Sequence, residues 1–180
     1  ETVIIATGAR PRATYVERAG SLLVLQAVDV LRGSQVPSGR ILVTDWRGDW
    51  VGLGTARSLA EAGHRVTLAT TGHGAGEMLQ QYVRDAMVAS LARLGVSIVP
   101  LVRLYGIDDD SAYLQHVLTE DPVIIEELSA LVLAHGSESE HELGDELEAA
   151  GIRVLRAGDC LAPRTVEEAV LEGLQAGVVA

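Results

Sequence analysis

The chain has no phenylalanine and few aromatic residues, which make up 3% of its 180 residues. Apolar residues still account for 48%, so we expect a sizeable core built from Val, Leu, Ile and Ala. No apolar run approaches the ~18 residues that a membrane span needs. The sequence therefore predicts a soluble protein without membrane contact, with room for one domain or one domain plus part of another.

Basic residues are also scarce. Fourteen Lys and Arg face 25 Asp and Glu, the net charge is −11, and the basic residues are scattered. Binding to nucleic acid or to an anionic membrane needs clustered positive charge, so both partners are excluded. The acidic surface is interpreted as a solubility feature.

Cysteine occurs once, at Cys160. A single cysteine excludes an internal disulfide, a CxxC redox pair and a four-cysteine metal site, and it fits a reducing, cytoplasmic compartment. The chain begins at Glu1, without an initiator methionine, directly in a strand-like run. We therefore interpret it as an excerpt of a longer polypeptide.

Hydrophobic periodicity predicts a βαβ unit that starts at Arg40. Short β-branched and aliphatic runs alternate with longer helical patterns, which is typical of a parallel sheet with right-handed crossovers. Nineteen glycines suit the tight turns that such a fold requires. The predicted strands are residues 41–44, 65–69 and 96–99, and the predicted helices are residues 50–62 and 76–94.

The remaining segments follow other patterns. A buried strand over residues 2–6 ends at Thr7 and Gly8, and a similar strand over 131–134 ends at His135 and Gly136. The other predictions are a short helix at 26–32, a linker at 34–39, an antiparallel meander (102–105, 112–117 and 123–126), a polar loop at 137–142, a strand at 152–155 and a final helix near Thr165, where Thr165 and Glu168 have capping-box spacing.

Five stretches follow one another along the chain: VIIATGARPR, the βαβ unit ending in AGHRVTLATTG, the meander, ALVLAHG and RAGDCLAPRTVEEAVLEGLQAG. In this order they resemble the C-terminal region of the trimethylamine dehydrogenase, histamine dehydrogenase and 2,4-dienoyl-CoA reductase group of flavin oxidoreductases. The resemblance covers essentially the whole chain and implies a Rossmann-like, three-layer α/β fold with a parallel sheet and an antiparallel meander. It implies that residues 1–33 and 145–180 form part of an FAD/ADP-type domain, interrupted by an inserted NAD(P)-type domain at 38–143.

The resemblance also implies cofactors and partners. The outer domain is expected to hold FAD or ADP in the full-length parent, where Asp159 would accept hydrogen bonds from ribityl or ribose hydroxyls. The alternative is an Asp in an ordinary turn. FMN and an iron–sulfur cluster are expected outside this chain, in an upstream barrel that would be its partner, and we expect a homo-oligomer. The implied FAD/ADP-type residues are Ala6, Thr7, Gly8, Gly158, Asp159 and Cys160.

The turn after the first strand of the βαβ unit departs from the G-x-G-x-x-G fingerprint. Gly48 and Gly52 remain, but Asp49 stands where the middle glycine would admit the pyrophosphate. A carboxylate about 4 Å from a phosphate charge costs about 4 kcal/mol at an effective dielectric constant of about 20. Trp46 and Trp50 are large enough to fill the cavity. The turn is therefore predicted to be a degenerate NAD(P) site.

Thr70 and Thr71 at the end of the second strand supply neither the acid that NAD enzymes place there nor the arginine of NADP enzymes. His135 is interpreted as a structural strand-end residue, with a cleft-facing imidazole as the alternative. No residue is predicted to be catalytic or to bind metal, since His141 and its neighbouring glutamates fit a solvated loop.

The expected function is a nucleotide-binding and scaffold region of a flavin-dependent oxidoreductase that acts on an amine or N-methylated substrate. A working NAD(P)H-binding module that delivers electrons to the flavin is one alternative. A purely structural domain without a ligand is the other.

Overall fold

The computed structural model describes residues 2–180, which form two compact units. Among these residues, unit 1 combines residues 2–13 with Gly136–Ala180, and unit 2 is Thr14–His135. In chain order the strands are β1 (Thr2–Ile5), β2 (Ala9–Pro11), β3 (Glu17–Arg18), β4 (Leu23–Gln26), β5 (Arg40–Asp45), β6 (Arg65–Thr70), β7 (Ser97–Val99), β8 (Val102–Ile107), β9 (Ala112–His116), β10 (Pro122–Ile125), β11 (Leu128–Ala134), β12 (Ser137–Ser139) and β13 (Arg153–Arg156). The helices are α1 (Ala27–Leu31), α2 (Trp50–Glu61), α3 (Gln81–Arg93), α4 (Glu142–Ala149) and α5 (Val166–Val179), with a 3-10 turn at Gly158–Cys160.

The unit boundaries differ from the expected domain boundaries at both ends. Residues 14–33 belong to unit 2, because β4 pairs in parallel with β11 and so completes the sheet of that unit. Residues 136–143 belong to unit 1, because β12 pairs antiparallel with β2. Both differences arise from strand pairing between residues more than a hundred positions apart, which periodicity does not reveal.

The sheet at the centre of unit 2 has five parallel strands in the order β4-β11-β5-β6-β7. Its central strands are buried on both faces, as continuous aliphatic runs predict for a parallel sheet. The βαβ prediction and the fold class are confirmed. The predicted helix at 76–94 starts later, at Gln81, because Gly76 takes a φ of +76° and begins a turn that Leu79 closes.

The predicted antiparallel meander is confirmed as β8, β9 and β10. The two-residue strand β3, which was not predicted, joins it in parallel with β8. Gly20 permits this close approach, since a Cβ atom there would lie 2.3 Å from the backbone of Asp108.

Unit 1 contains the parallel pair β1 and β13 and the antiparallel pair β2 and β12. The prediction of a loop over 137–142 is therefore wrong for β12, where backbone pairing orders polar residues that show no strand pattern. The helix α4 was also not predicted. Arg156 on β13 binds it through Asp145 at 2.8 Å and Glu148 at 2.6 Å.

The last helix, α5, begins with the predicted capping box between Thr165 and Glu168. Its outer side is strongly apolar and exposed, and the side chains of Val166, Val170, Leu174 and Val178 follow one another at four-residue intervals. Among the described residues, no helix combines the length and the apolar character that crossing a membrane requires.

Candidate functional site

A groove of about 500 Å³ lies within unit 1, where β1 and β13 end and α5 begins. Small residues keep it open, since Ala6, Gly8, Ala169 and Gly173 all contribute to its wall. The remaining lining residues are Ile4, Ala157, Gly158, Asp159, Arg164, Thr165 and Val166. Four of the expected nucleotide-binding residues, Ala6, Gly8, Gly158 and Asp159, are thus brought together.

Gly158 and Asp159 form the turn that leaves β13. Gly158 has a φ of +74°, a conformation that L side chains rarely adopt, so the turn requires glycine. The carboxylate of Asp159 accepts a hydrogen bond from the backbone N–H of Arg164 at 3.3 Å through Oδ1. A half-buried carboxylate at the rim of a groove is suited to accept hydrogen bonds from ligand hydroxyl groups.

Thr7 and Cys160, also expected to contact the nucleotide, are not among the residues that line the groove. The Thr7 hydroxyl donates to the carbonyl of Glu140 at 3.2 Å. Cys160 is fully buried, and its thiol lies 3.2 Å from the carbonyl oxygens of both Ile5 and Ala157. The geometry gives Cys160 a packing position beneath the turn.

The degenerate turn in unit 2 uses its own carboxylates as hydrogen-bond acceptors. Oδ1 of Asp45 accepts the backbone N–H groups of Arg47 and Gly48, each at 2.9 Å. Asp49 is the N-cap of α2 and accepts the N–H of Val51 at 2.9 Å. A dinucleotide-binding turn presents such N–H groups to the pyrophosphate. Here these three N–H groups already have acidic partners.

Asp45, which the sequence reasoning did not single out, is the most buried acid in the turn. Its side chain has no exposed surface, and Oδ2 has no hydrogen-bond partner within residues 2–180. Burial raises the pKa of Asp45 from its ordinary value of 3.8 to about 6, against the opposing effect of its two backbone hydrogen bonds. Gly52 makes this packing possible, since a Cβ atom there would lie 2.3 Å from Oδ2 of Asp45.

His135 lies buried at the end of β11, with both ring nitrogens bonded. Nε2 lies 2.8 Å from the hydroxyl of Thr44, and Nδ1 lies 3.1 Å from the hydroxyl of Thr14. The indole of Trp46 covers the imidazole, and burial lowers the pKa of His135 from 6.5 to about 4. These contacts support the interpretation of His135 as a structural residue.

The end of β6 offers little to a nucleotide. Thr70 is buried and its hydroxyl accepts the N–H of Gly72 at 3.4 Å, while Thr71 is half-buried. Gly48 is also engaged on its other side, because its carbonyl accepts the N–H of Met78 at 3.0 Å. Trp50 begins α2 and is exposed, so Trp46 is the tryptophan that packs over the strand ends.

A family model described as pyridine nucleotide-disulphide oxidoreductase matches residues 1–171. The chain belongs to this family. Solved structures show the same fold. Histamine dehydrogenase from Rhizobium sp. 4-9 covers 98% of this chain with a TM-score of 0.87 at 23% identity, and the match covers 30% of that protein. 6-Hydroxypseudooxynicotine amine oxidase from Pseudomonas geniculata N1 also covers 98% of this chain, with a TM-score of 0.87 at 29% identity. That match covers 28% of the amine oxidase.

Two curated relatives are similar in sequence. A metal reductase of Desulforamulus reducens is 28% identical over 93% of this chain and 29% of its own length. A probable N-methylproline demethylase of Rhizobium meliloti is 40% identical over 39% of this chain and 10% of its own length. The chain thus spans less than a third of each relative. The resemblance to the trimethylamine dehydrogenase and histamine dehydrogenase group is confirmed.

The two candidate nucleotide sites differ in how well they fit their ligands. The unit 1 groove is lined by small residues and a glycine turn, and the carboxylate of Asp159 lies at its rim. This arrangement suits the hydroxyl groups of a nucleotide's sugar or ribityl chain. The unit 2 turn does not fit NAD(P), because Asp45 and Asp49 occupy the N–H groups that the pyrophosphate needs and Trp46 covers the strand end.

Proposed function

We propose that this chain is the nucleotide-binding and scaffold region of a flavin-dependent oxidoreductase that acts on an amine or N-methylated substrate. Unit 1 would hold FAD or ADP in the longer protein, and unit 2 would be a Rossmann-like scaffold that has lost its dinucleotide site. FMN and an iron–sulfur cluster would then belong to an upstream barrel, the partner that the resemblance implies. The relatives that act on histamine, on an amine and on an N-methyl group support this substrate class.

The observation that carries the proposal is the contrast between the two strand exits. The turn at Gly158 and Asp159 borders an open groove, with the Asp159 carboxylate at its rim. At Asp45 and Asp49 the equivalent turn closes on itself through hydrogen bonds to its own carboxylates. This contrast favours one nucleotide in unit 1 over an NAD(P)H-binding module in unit 2.

The role of Asp159 is tested in the longer protein by measuring the nucleotide released on denaturation. Loss of a charge-assisted hydrogen bond costs about 1.5–3 kcal/mol, which corresponds to about 10- to 100-fold weaker binding. Asp159→Ala should therefore lower the content of bound ADP or FAD. Asp29→Ala, an acid on α1 of unit 2, is the control and should leave the content unchanged.

Two outcomes would contradict the proposal. Full nucleotide content in Asp159→Ala would leave Asp159 as an ordinary turn residue. A wild-type protein that neither carries nor takes up any adenine nucleotide would favour a purely structural domain.

A further inference from the structure

One carboxylate on α5 bonds to two separate parts of the groove wall. Oε2 of Glu172 accepts the backbone N–H of Gly158 at 2.8 Å, and Oε1 accepts Nη2 of Arg164. The Glu172 side chain is only 14% exposed, so it needs these partners to compensate for its lost hydration. Glu172 therefore fixes the position of the Gly158 turn and of the Arg164 guanidinium together.

Two further hydrogen bonds position Arg164 at the groove. Its backbone N–H donates to Asp159, and its Nε donates to the carbonyl of Ala162 at 3.3 Å. The side chain remains 41% exposed. Within residues 2–180, Nη1 donates to no protein acceptor. A guanidinium that is anchored on one side and has free N–H groups on the other is ready to bind an anion.

The N-terminus of α5 is not suited to bind an anion. Its capping box uses the hydroxyl of Thr165 to accept the N–H of Glu167, and the carboxylate of Glu168 lies over the same end of the helix. A phosphate there would meet a negative charge and an N–H group that is already bonded. Among the described residues that line the groove, Arg164 is the one with a positive charge.

We propose that Arg164, positioned by Glu172, binds the diphosphate of the nucleotide in the unit 1 groove. Asp159 would accept hydrogen bonds from the hydroxyls of the ligand, and Arg164 would distinguish a nucleoside diphosphate from a nucleoside. This inference rests on the proposed function, because it assumes that the groove holds a nucleotide. A purely structural Arg164–Glu172 ion pair is the competing interpretation.

The test compares ADP with adenosine, which share a base and a sugar but differ in the diphosphate. Dissociation constants are measured by titration calorimetry on the longer protein after charcoal treatment has removed its resident nucleotide. Arg164→Gln should weaken ADP binding by about 10- to 100-fold and change adenosine binding less than about twofold. Added salt should weaken ADP binding in the wild type and have little effect in the variant.

Three further variants complete the design. Arg164→Lys keeps the charge but loses the planar fork, so its preference for ADP should be intermediate. Glu172→Gln keeps an acceptor for the Gly158 N–H but removes the ion pair, and should reduce the ADP preference by several-fold with adenosine binding retained. Arg57→Gln on α2 breaks an exposed ion pair with Glu61 and should change neither constant.

Equal losses of ADP and adenosine binding in Arg164→Gln would show a structural role and overturn the inference while leaving the nucleotide site intact. An unchanged ADP preference in that variant would overturn it as well. If Arg164→Gln fails to fold, Arg164→Lys and Glu172→Gln decide, through the ratio of the adenosine and ADP dissociation constants in each variant. If the wild-type protein binds neither ADP nor adenosine, that result would contradict the proposed function itself.

Discussion

The indole of Trp46 lies flat on the imidazole of His135, with ring centroids 3.8 Å apart and ring planes 9° from parallel. This stack closes the carboxyl end of the β5 and β11 strands, where an open α/β sheet normally binds its ligand. The aromatic contact thus occupies the position that a Rossmann fold reserves for a dinucleotide.

We expect no useful affinity of unit 2 for NADH or NADPH. The N–H groups of the turn are bonded to Asp45 and Asp49, and Trp46 lies over His135. Tryptophan fluorescence of the chain titrated with either cofactor is the measurement, and titration with adenosine controls for inner-filter effects. Saturable quenching with a dissociation constant below about 100 μM would show that the turn does open for the cofactor.

The buried acid Asp45 makes stability depend on pH. Between its ordinary pKa of 3.8 and its folded value of about 6, the folded state holds a proton that the unfolded state has released, so stability falls as pH rises through this window. The full cost, about 3 kcal/mol, persists above pH 6. Asp45→Asn keeps an acceptor for the two backbone N–H groups but has no charge.

Urea unfolding measured at pH 7.5 and 4.5 tests this expectation. The change in unfolding free energy caused by Asp45→Asn should be more favourable at pH 7.5 than at pH 4.5 by about 2 kcal/mol. Asp49→Asn, at the more exposed N-cap of α2, is the matched control. The same change in unfolding free energy for Asp45→Asn at both pH values would mean that the carboxyl titrates as it does in the unfolded chain.

His135 should give a dependence of the opposite sign. Its pKa falls from 6.5 to about 4, so below pH 6.5 the unfolded state binds a proton that the folded state does not, and stability falls as pH decreases toward 4. His135→Gln removes this effect. Its loss of unfolding free energy relative to wild type should be smaller at pH 5 than at pH 7.5 by about 2 kcal/mol.

The control for this experiment is His73→Gln, at an exposed loop position. Its effect on unfolding should be small at both pH values. An equal loss for His135→Gln at pH 5 and pH 7.5 would show that the buried imidazole accepts a proton as readily as an unfolded one, and the Trp46 stack would then have to tolerate a cation.

The exposed apolar side of α5 predicts association of the isolated chain. Val166, Val170, Leu174 and Val178 present a continuous stripe to solvent, and such stripes drive association in water. Light scattering at increasing protein concentration should report species larger than a monomer. Leu174→Glu should reduce them, whereas Gln175→Glu adds the same charge at a neighbouring position and should not. A wild-type chain that stays monomeric would contradict the expectation.

Local patterns in the sequence were sufficient for much of the fold. The alternation of aliphatic strands with helical stretches predicts the βαβ unit. The spacing of Thr165 and Glu168 predicts the capped start of α5. The fingerprint fixes the position of each glycine, so the sequence alone indicates that Asp49 is an obstacle to phosphate. These features depend on neighbours a few residues apart.

The features that escaped prediction depend on tertiary contacts, which a local sequence pattern does not indicate. β12 is ordered by pairing with β2, more than a hundred positions away, and α4 is held by ion pairs to Arg156 on β13. Burial in the folded turn raises the pKa of Asp45, and Glu172 accepts the N–H of Gly158 only where α5 packs against the turn after β13. Tertiary contacts decide such positions.

The hydrogen bond between Thr14 and His135 joins the first and last residues of unit 2, and this has a consequence for the order of folding. β1 must pair with β13, which is synthesised about 150 residues later. Once unit 2 has folded, its ends lie side by side, and the flexible loop that separates β1 from β13 shrinks to a few tens of residues. The entropy of closing that loop then falls by about 1–2 kcal/mol. We therefore expect unit 2 to fold before β1 pairs with β13, so that unit 1 closes last during synthesis.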